Sequence, residues 1–176
     1  MTNKQKQCLL FYLGFYTGNI DGKIGTASKK AIKAFQQKYG VAENETEAML
    51  VKAVAGEITA KDFWEDIEYF KKDEFKCKCG KYCNGFPVEP NETLVRVADR
   101  VRKHFGVSAI VSSGVRCEKH NANVGGVSGS RHKLGKAMDF CVKGKTSAQV
   151  LAYVKQQKEI RYCYAIDNNY VHMDVE

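Results

Sequence analysis

Nowhere does the chain carry an apolar run approaching the roughly 20 residues of a membrane-crossing helix, so no membrane insertion is expected. The apolar stretch Cys8 to Phe15 is short. It runs straight into Thr17-Gly18-Asn19-Ile20-Asp21-Gly22 with no small-residue cleavage site, so it does not read as a secretory signal. Synthesis in a cytoplasm, with no export route of its own, is the expectation. Low-complexity tracts and long-period repeats are absent. No Lys/Arg block is interleaved with aromatics, and no nucleic-acid motif is present. The net charge of +8 therefore reads as a generally basic solvated surface, and nucleic acid is not an expected partner. Gly125-Gly126-Val127-Ser128-Gly129 lacks the Lys-Ser/Thr of a phosphate loop and reads as a flexible approach to His132. Seven cysteines is an odd number, which excludes a complete intramolecular disulfide framework and favours reduced thiols in a monomer.

The residues present suffice for folding. The chain has 176 residues, 44% of them hydrophobic and 11% aromatic, enough for one medium or two small domains. Residues 1–56 read as three short helices. The first is Lys4 to Leu13, and a Gly- and Asp-rich loop from Gly14 to Gly25 comes next. Thr26 is expected to cap the second, whose Ala27, Ala31, Ile32, Phe35 and Tyr39 share a face, and Gly40 ends it. Thr46 is expected to cap the third, with Met49, Leu50, Ala53 and Val54. Residues 57–73 form an apolar connector with Phe63, Trp64, Ile67, Tyr69 and Phe70, expected to pack on the second domain. Residues 74–176 alternate helices and strands without a βαβ repeat, which is an α+β pattern with a small antiparallel sheet. A helix is read over Glu89 to Phe105, with Pro90 in its first turn, and another over Thr146 to Gln157. Strands are read at Val107–Ser113, Ala137–Val142, Arg161–Ile166 and Tyr170–Val175, the last two joined by Asp167-Asn168-Asn169.

The richest stretch is Ser130-Arg131-His132-Lys133-Leu134-Gly135-Lys136-Ala137-Met138-Asp139, together with Val171-His172-Met173-Asp174. A His and a carboxylate seven residues apart, with a second His on an alternating segment, can make a three-ligand metal site. Two imidazoles and a carboxylate suit Zn²⁺ with a fourth position left for water. Zinc lowers the pKa of that water to about 7 and polarises a carbonyl, so the natural reaction is hydrolysis.

Two resemblances add to this reading. Leu13-Gly14-Phe15-Tyr16-Thr17-Gly18-Asn19-Ile20-Asp21-Gly22-Lys23-Ile24-Gly25, Thr26, Ala31-Ile32 and Phe35-Gln36 resemble the small three-helix peptidoglycan-binding domain. The second domain resembles the zinc D-alanyl-D-alanine carboxypeptidase family, which includes L-alanyl-D-glutamate endopeptidases of phages and bacteria. That likeness is carried by Glu74-Phe75-Lys76-Cys77-Lys78-Cys79-Gly80, Ser112-Ser113-Gly114-Val115-Arg116-Cys117, His120-Asn121 and Val124-Gly125-Gly126. Ser130-x-His132, Gly135, Ala137, Asp139 and Val171-His172-Met173-Asp174-Val175 complete it.

The resemblance implies His132, Asp139 and His172 as ligands of one catalytic zinc, and peptidoglycan as the partner. It implies that Arg116 faces the substrate, gripping a carboxylate or an oxyanion, and that Ser130 binds substrate or orients its loop. His120 would support the fold. Related enzymes place an acidic residue three positions before the last zinc His, where this chain has Asn169. Asp167 is expected as the general base, with Asp174 facing the metal or holding the His172 imidazole. Taken whole, the pattern looks like a phage or prophage endolysin acting on the wall after release. The alternatives are a catalytically dead wall-binding protein and a structural part of a phage particle. Cys77-x-Cys79-x3-Cys83, with Cys117, departs from the common C-x2-C spacing. These thiols are expected to act as small buried apolar groups, the alternatives being a second, structural metal site or disulfides.

Overall fold

The computed structural model describes residues 1–176, which divide into two compact units, Met1–Glu65 and Asp66–Glu176. No helix is long and apolar enough to cross a membrane.

The first unit is built from three helices. Helix α1 (Asn3–Tyr12) starts at a capping box. Thr2 Oγ1 accepts the Gln5 amide at 3.2 Å, and Gln5 Oε1 accepts the Thr2 amide at 2.8 Å. Helix α2 (Thr26–Tyr39) closes on Gly40, whose φ of 64° is left-handed. Helix α3 (Thr46–Val54) completes the set. Their inward faces bury Leu10, Ala31, Phe35 and Leu50, joined by Tyr16 of the following loop, with Ile32, Tyr39, Met49 and Ile58 packed against them. Two expected caps are corrected. Gly25 is the N-cap of α2 and Thr26 lies inside the helix; Thr46 lies inside α3 and turns its hydroxyl back to the Ala42 and Glu43 carbonyls.

The loop between α1 and α2 is pinned by one buried polar side chain. Gln7 Nε2 donates to Asp21 Oδ1 at 3.0 Å and to the Lys23 carbonyl at 3.1 Å, while its Oε1 accepts the Gly22 amide at 2.7 Å. A fully buried amide is stable only with such partners.

The 57–73 segment is shared between the units rather than packing wholly on the second. Ile58 joins the helical core, and Lys61 N–H donates to the Lys38 carbonyl. From Asp66 onward the partners belong to the second unit. Arg96 pairs with Asp66, the Asp99 carboxylate accepts the Glu68 and Tyr69 amides, and the Phe70 ring meets Phe75 edge-on.

In the second unit, helix α4 (Glu92–Phe105) is capped by Asn91, whose Oδ1 accepts the Leu94 amide at 3.2 Å. Pro90 therefore precedes the helix instead of occupying its first turn. Beyond it lie strand β1 (Ala109–Ser113), the short helix α5 (Glu118–Asn123), strand β2 (Ala137–Val142), helix α6 (Ser147–Val154), strand β3 (Ile160–Ala165) and strand β4 (Tyr170–Val175). The sheet is fully antiparallel in the order β1-β2-β4-β3. Strand side chains alternate between faces. Met138, Phe140, Val171 and Met173 therefore join Leu94, Val95, Val101, Val150 and Val154 in the core. Asp139, His172 and Asp174 fall on the opposite face.

Candidate metal centre and catalytic cleft

Register builds most of the site. Asp139 of β2 is the direct partner of His172 of β4, and His172 in turn faces Tyr164 of β3. One row across three strands thus presents a carboxylate, an imidazole and a phenol. The Tyr164 and His172 rings stack with centroids 4.8 Å apart.

His132 arrives from a short 3₁₀ turn, Arg131–Leu134, that closes on Gly135 at φ 68°. A Cβ there would lie 2.2 Å from the Glu89 carbonyl oxygen, so the position demands glycine twice over. The segment Gly114–Arg116 docks on this turn, where Arg116 N–H donates to the His132 carbonyl at 3.0 Å. His132 Nδ1 lies 2.7 Å from the Gly114 carbonyl oxygen. A carbonyl can only accept, so that nitrogen carries the proton and Nε2 keeps its lone pair.

His132 Nε2 points at Asp139 Oδ1, 3.3 Å away, and His172 Nδ1 lies 2.8 Å from the same oxygen. The donor atoms of His132, Asp139 and His172 all fall within 4.8 Å of one another. A tetrahedral ion with arms of about 2 Å has edges of about 3.3 Å, so this spacing fits zinc and the donor set suits it. Burial alone would raise the Asp139 carboxyl. Hydrogen bonding to His172, with the charge of Arg116, outweighs burial and holds it well below the usual carboxylate range.

The triad lines an open cleft of about 430 Å³ shared with Arg116, Ser130, Arg131, Arg161, Tyr164 and Asp174. Arg116 donates from Nη2 to Asp139 Oδ2 and from Nε to Ser113 Oγ at 2.7 Å. It thus braces the triad's carboxylate as well as lining the cleft. Asp174 is buried and accepts two hydrogen bonds from Arg161, at 2.7 and 2.8 Å. Its Oδ2 lies 3.4 Å from His172 Nε2, so it faces the imidazole edge turned away from Asp139.

Asp167 is not brought to the cleft. Its Oδ1 accepts the Asn169 and Tyr170 amides, both at 2.7 Å, in the exposed β3–β4 turn. These two bonds hold its carboxyl below the ordinary value. Ile166 beside it lines the cleft, but Asp167 does not. Asn169 lines a separate depression with Ile110, Cys141 and Tyr170. His120 lies on α5 outside the cleft lining.

Sequence reasoning missed Tyr164, Arg161 and Arg131. A signal existed in the alternation of Arg161-Tyr162-Cys163-Tyr164, but only the pairing of β3 with β4 sets Tyr164 opposite His172.

A His, Asp and His constellation lining an open, arginine-lined cleft on an α+β scaffold is a candidate metal centre of the kind metallopeptidases use. The family model for Peptidase M15 matches residues 68–174, and the chain belongs to that family. A model for a putative peptidoglycan binding domain matches residues 4–44. Together they make the chain a peptidase acting on cell-wall peptides. No curated protein matches it in sequence.

Proposed function

We propose that the chain is a zinc-dependent peptidoglycan peptidase that cuts an amide bond of the stem peptide or its cross-link, D-Ala-D-Ala or L-Ala-D-Glu. Its setting is that of a phage or prophage endolysin, made in the cytoplasm and acting on the wall after release. The observation that carries this reading is the convergence of His132 Nε2, Asp139 and His172 Nδ1 in the cleft, with the His132 tautomer set by Gly114. Zinc bound there supplies Lewis acidity and a water of lowered pKa.

The chain's own residues do the rest. Asp174, clamped by Arg161, holds the His172 ring. Arg116 commits Nε and Nη2 within the protein and keeps further N–H donors for a substrate carboxylate or a developing oxyanion. Ser130 offers a hydroxyl at the cleft wall. Burial raises the Tyr164 phenol, with the charge of Asp139 acting in the same sense, so it stays a hydrogen-bond donor. The N-terminal unit raises the local concentration of enzyme at the wall.

A second reading, a wall-binding protein without turnover, draws support from Asn169 and from Asp167 lying outside the cleft lining. Mass spectrometry of muropeptides released from purified sacculi decides between the two. The new termini should identify one cut bond, and His132→Ala or His172→Ala should abolish its appearance together with zinc binding in the cleft. Zinc-loaded protein that binds sacculi and releases nothing would establish the second reading.

A further inference from the structure

From Lys76 to Asn91 the chain forms no helix and no strand. Between Lys76 and Glu89 the only buried residue is Cys77. A loop this long, with so little apolar surface inside, is not held by a hydrophobic core. Besides the Lys78 Nζ bond to the Val111 carbonyl at 2.8 Å and the Lys72–Glu89 ion pair, it meets the rest of the unit through sulfur. Cys77, Cys79 and Cys83 meet Cys117 with all four Sγ atoms within 4.8 Å of one another. Only Cys77 is buried and the other three are partly exposed, so packing does not explain the cluster.

Backbone amides face the sulfurs. The Cys117 amide points at Cys77 Sγ and the His120 amide at Cys117 Sγ, each at 3.4 Å. Amides of Tyr82 and Cys83 reach the Cys79 sulfur, and that of Gly85 reaches Cys83. Gly80 and Gly85, at φ 73° and 99°, make the tight turns just after Cys79 and Cys83. Four sulfurs about 2.3 Å from zinc stand about 3.8 Å apart, and Cys79 and Cys83 are already 3.4 Å apart.

We propose that Cys77, Cys79, Cys83 and Cys117 bind a structural zinc ion, separate from the one in the cleft. Binding is proton exchange without oxidation: four thiols release four protons and form four Zn–S bonds. None of the four lines the cleft. The ion ties the loop to Cys117, the N-cap of α5 and the residue after Arg116. The Phe75–Val115 hydrogen bond at 2.8 Å is the only other fastening along this edge that pairs the same two segments by backbone. Four thiolates select zinc over harder ions, and a closed four-sulfur shell leaves no position for substrate.

The test uses the full-length chain under reducing conditions. The double variant His132→Ala/His172→Ala should retain one zinc per chain by native mass spectrometry. Replacing that zinc with Co²⁺ should give a thiolate-to-metal charge-transfer absorption in the near ultraviolet. Adding Cys83→Ser should remove the ion or the band. Should that variant fold poorly, alkylation of the His variant keeps the question open to refutation. The four cysteines should be protected with zinc and reactive after chelation, while exposed Cys8 reacts alike in both. A metal-free double His variant, equal alkylation with and without chelator, or an intact mass reduced by the hydrogens of two disulfides would each overturn the proposal.

Discussion

Asp174 and Asp167 lie on either side of His172 in sequence and differ in what their oxygens touch. Asp174 accepts two bonds from Arg161 and faces His172 Nε2, whereas Asp167 caps its own turn. Asp174→Asn should therefore lower zinc affinity or turnover by about 10- to 100-fold, the usual loss when the partner of a ligating histidine is removed. Asp167→Asn should leave turnover on soluble muropeptides and bound zinc near normal, which metal analysis and product release measured side by side would check. Its effect belongs to pH. Amide hydrogen bonds hold the folded Asp167 pKa below its unfolded value of about 4. Its stabilisation is thus present above that value and is lost as pH falls through the folded pKa. Asp167→Asn should flatten that part of the acid limb of a stability–pH curve.

At the level of elements, the site depends on a turn and a register. Gly135 ends the Arg131–Leu134 turn with φ 68°, its carbonyl accepts the Asn91 amide, and a methyl group there meets the Glu89 carbonyl. Gly135→Ala should cost at least about 1–3 kcal/mol from backbone strain alone. Denaturant unfolding should report that loss, and zinc titration should show weakened binding, because His132 rides on the turn. The β2–β4 register carries an equal burden. A slip by one residue would exchange Asp139 and His172 with Met138 and Met173, moving the candidate ligands into the core and apolar side chains into the cleft. Alternation in the sequence recovers Ala137–Val142 and Tyr170–Val175 as they stand. Helix starts are less legible. Glycine and glutamate stand at two N-caps where Thr26 and Thr46 look suitable, since any residue whose backbone turns correctly can occupy that position.

For the whole molecule, the division falls between Glu65 and Asp66, and every residue of the cleft lies in the second unit. A chain beginning at Asp66 should keep its turnover of small soluble muropeptides and lose much of its activity on intact sacculi at limiting enzyme. Equal activity of both forms on sacculi would remove the targeting role of the first unit. The apolar residues of the 57–73 segment do not say which unit they serve. Ile58 and Phe70 look alike in sequence, and only their partners differ.

Local order along the chain was enough to point to His132, Asp139 and His172 as a candidate triad and to read the helical first unit and the α+β second one. Ligand types, glycine positions and alternation are properties of neighbouring residues. Contacts between distant segments had to be seen in three dimensions. These include the Gly114 carbonyl that sets the His132 tautomer, Arg161 on Asp174, Tyr164 over His172, and Cys117 joining three sulfurs far before it. Each depends on which strand pairs with which and on where a loop returns. Hydrogen-bond geometry across the fold settles those arrangements, and residue spacing does not encode them.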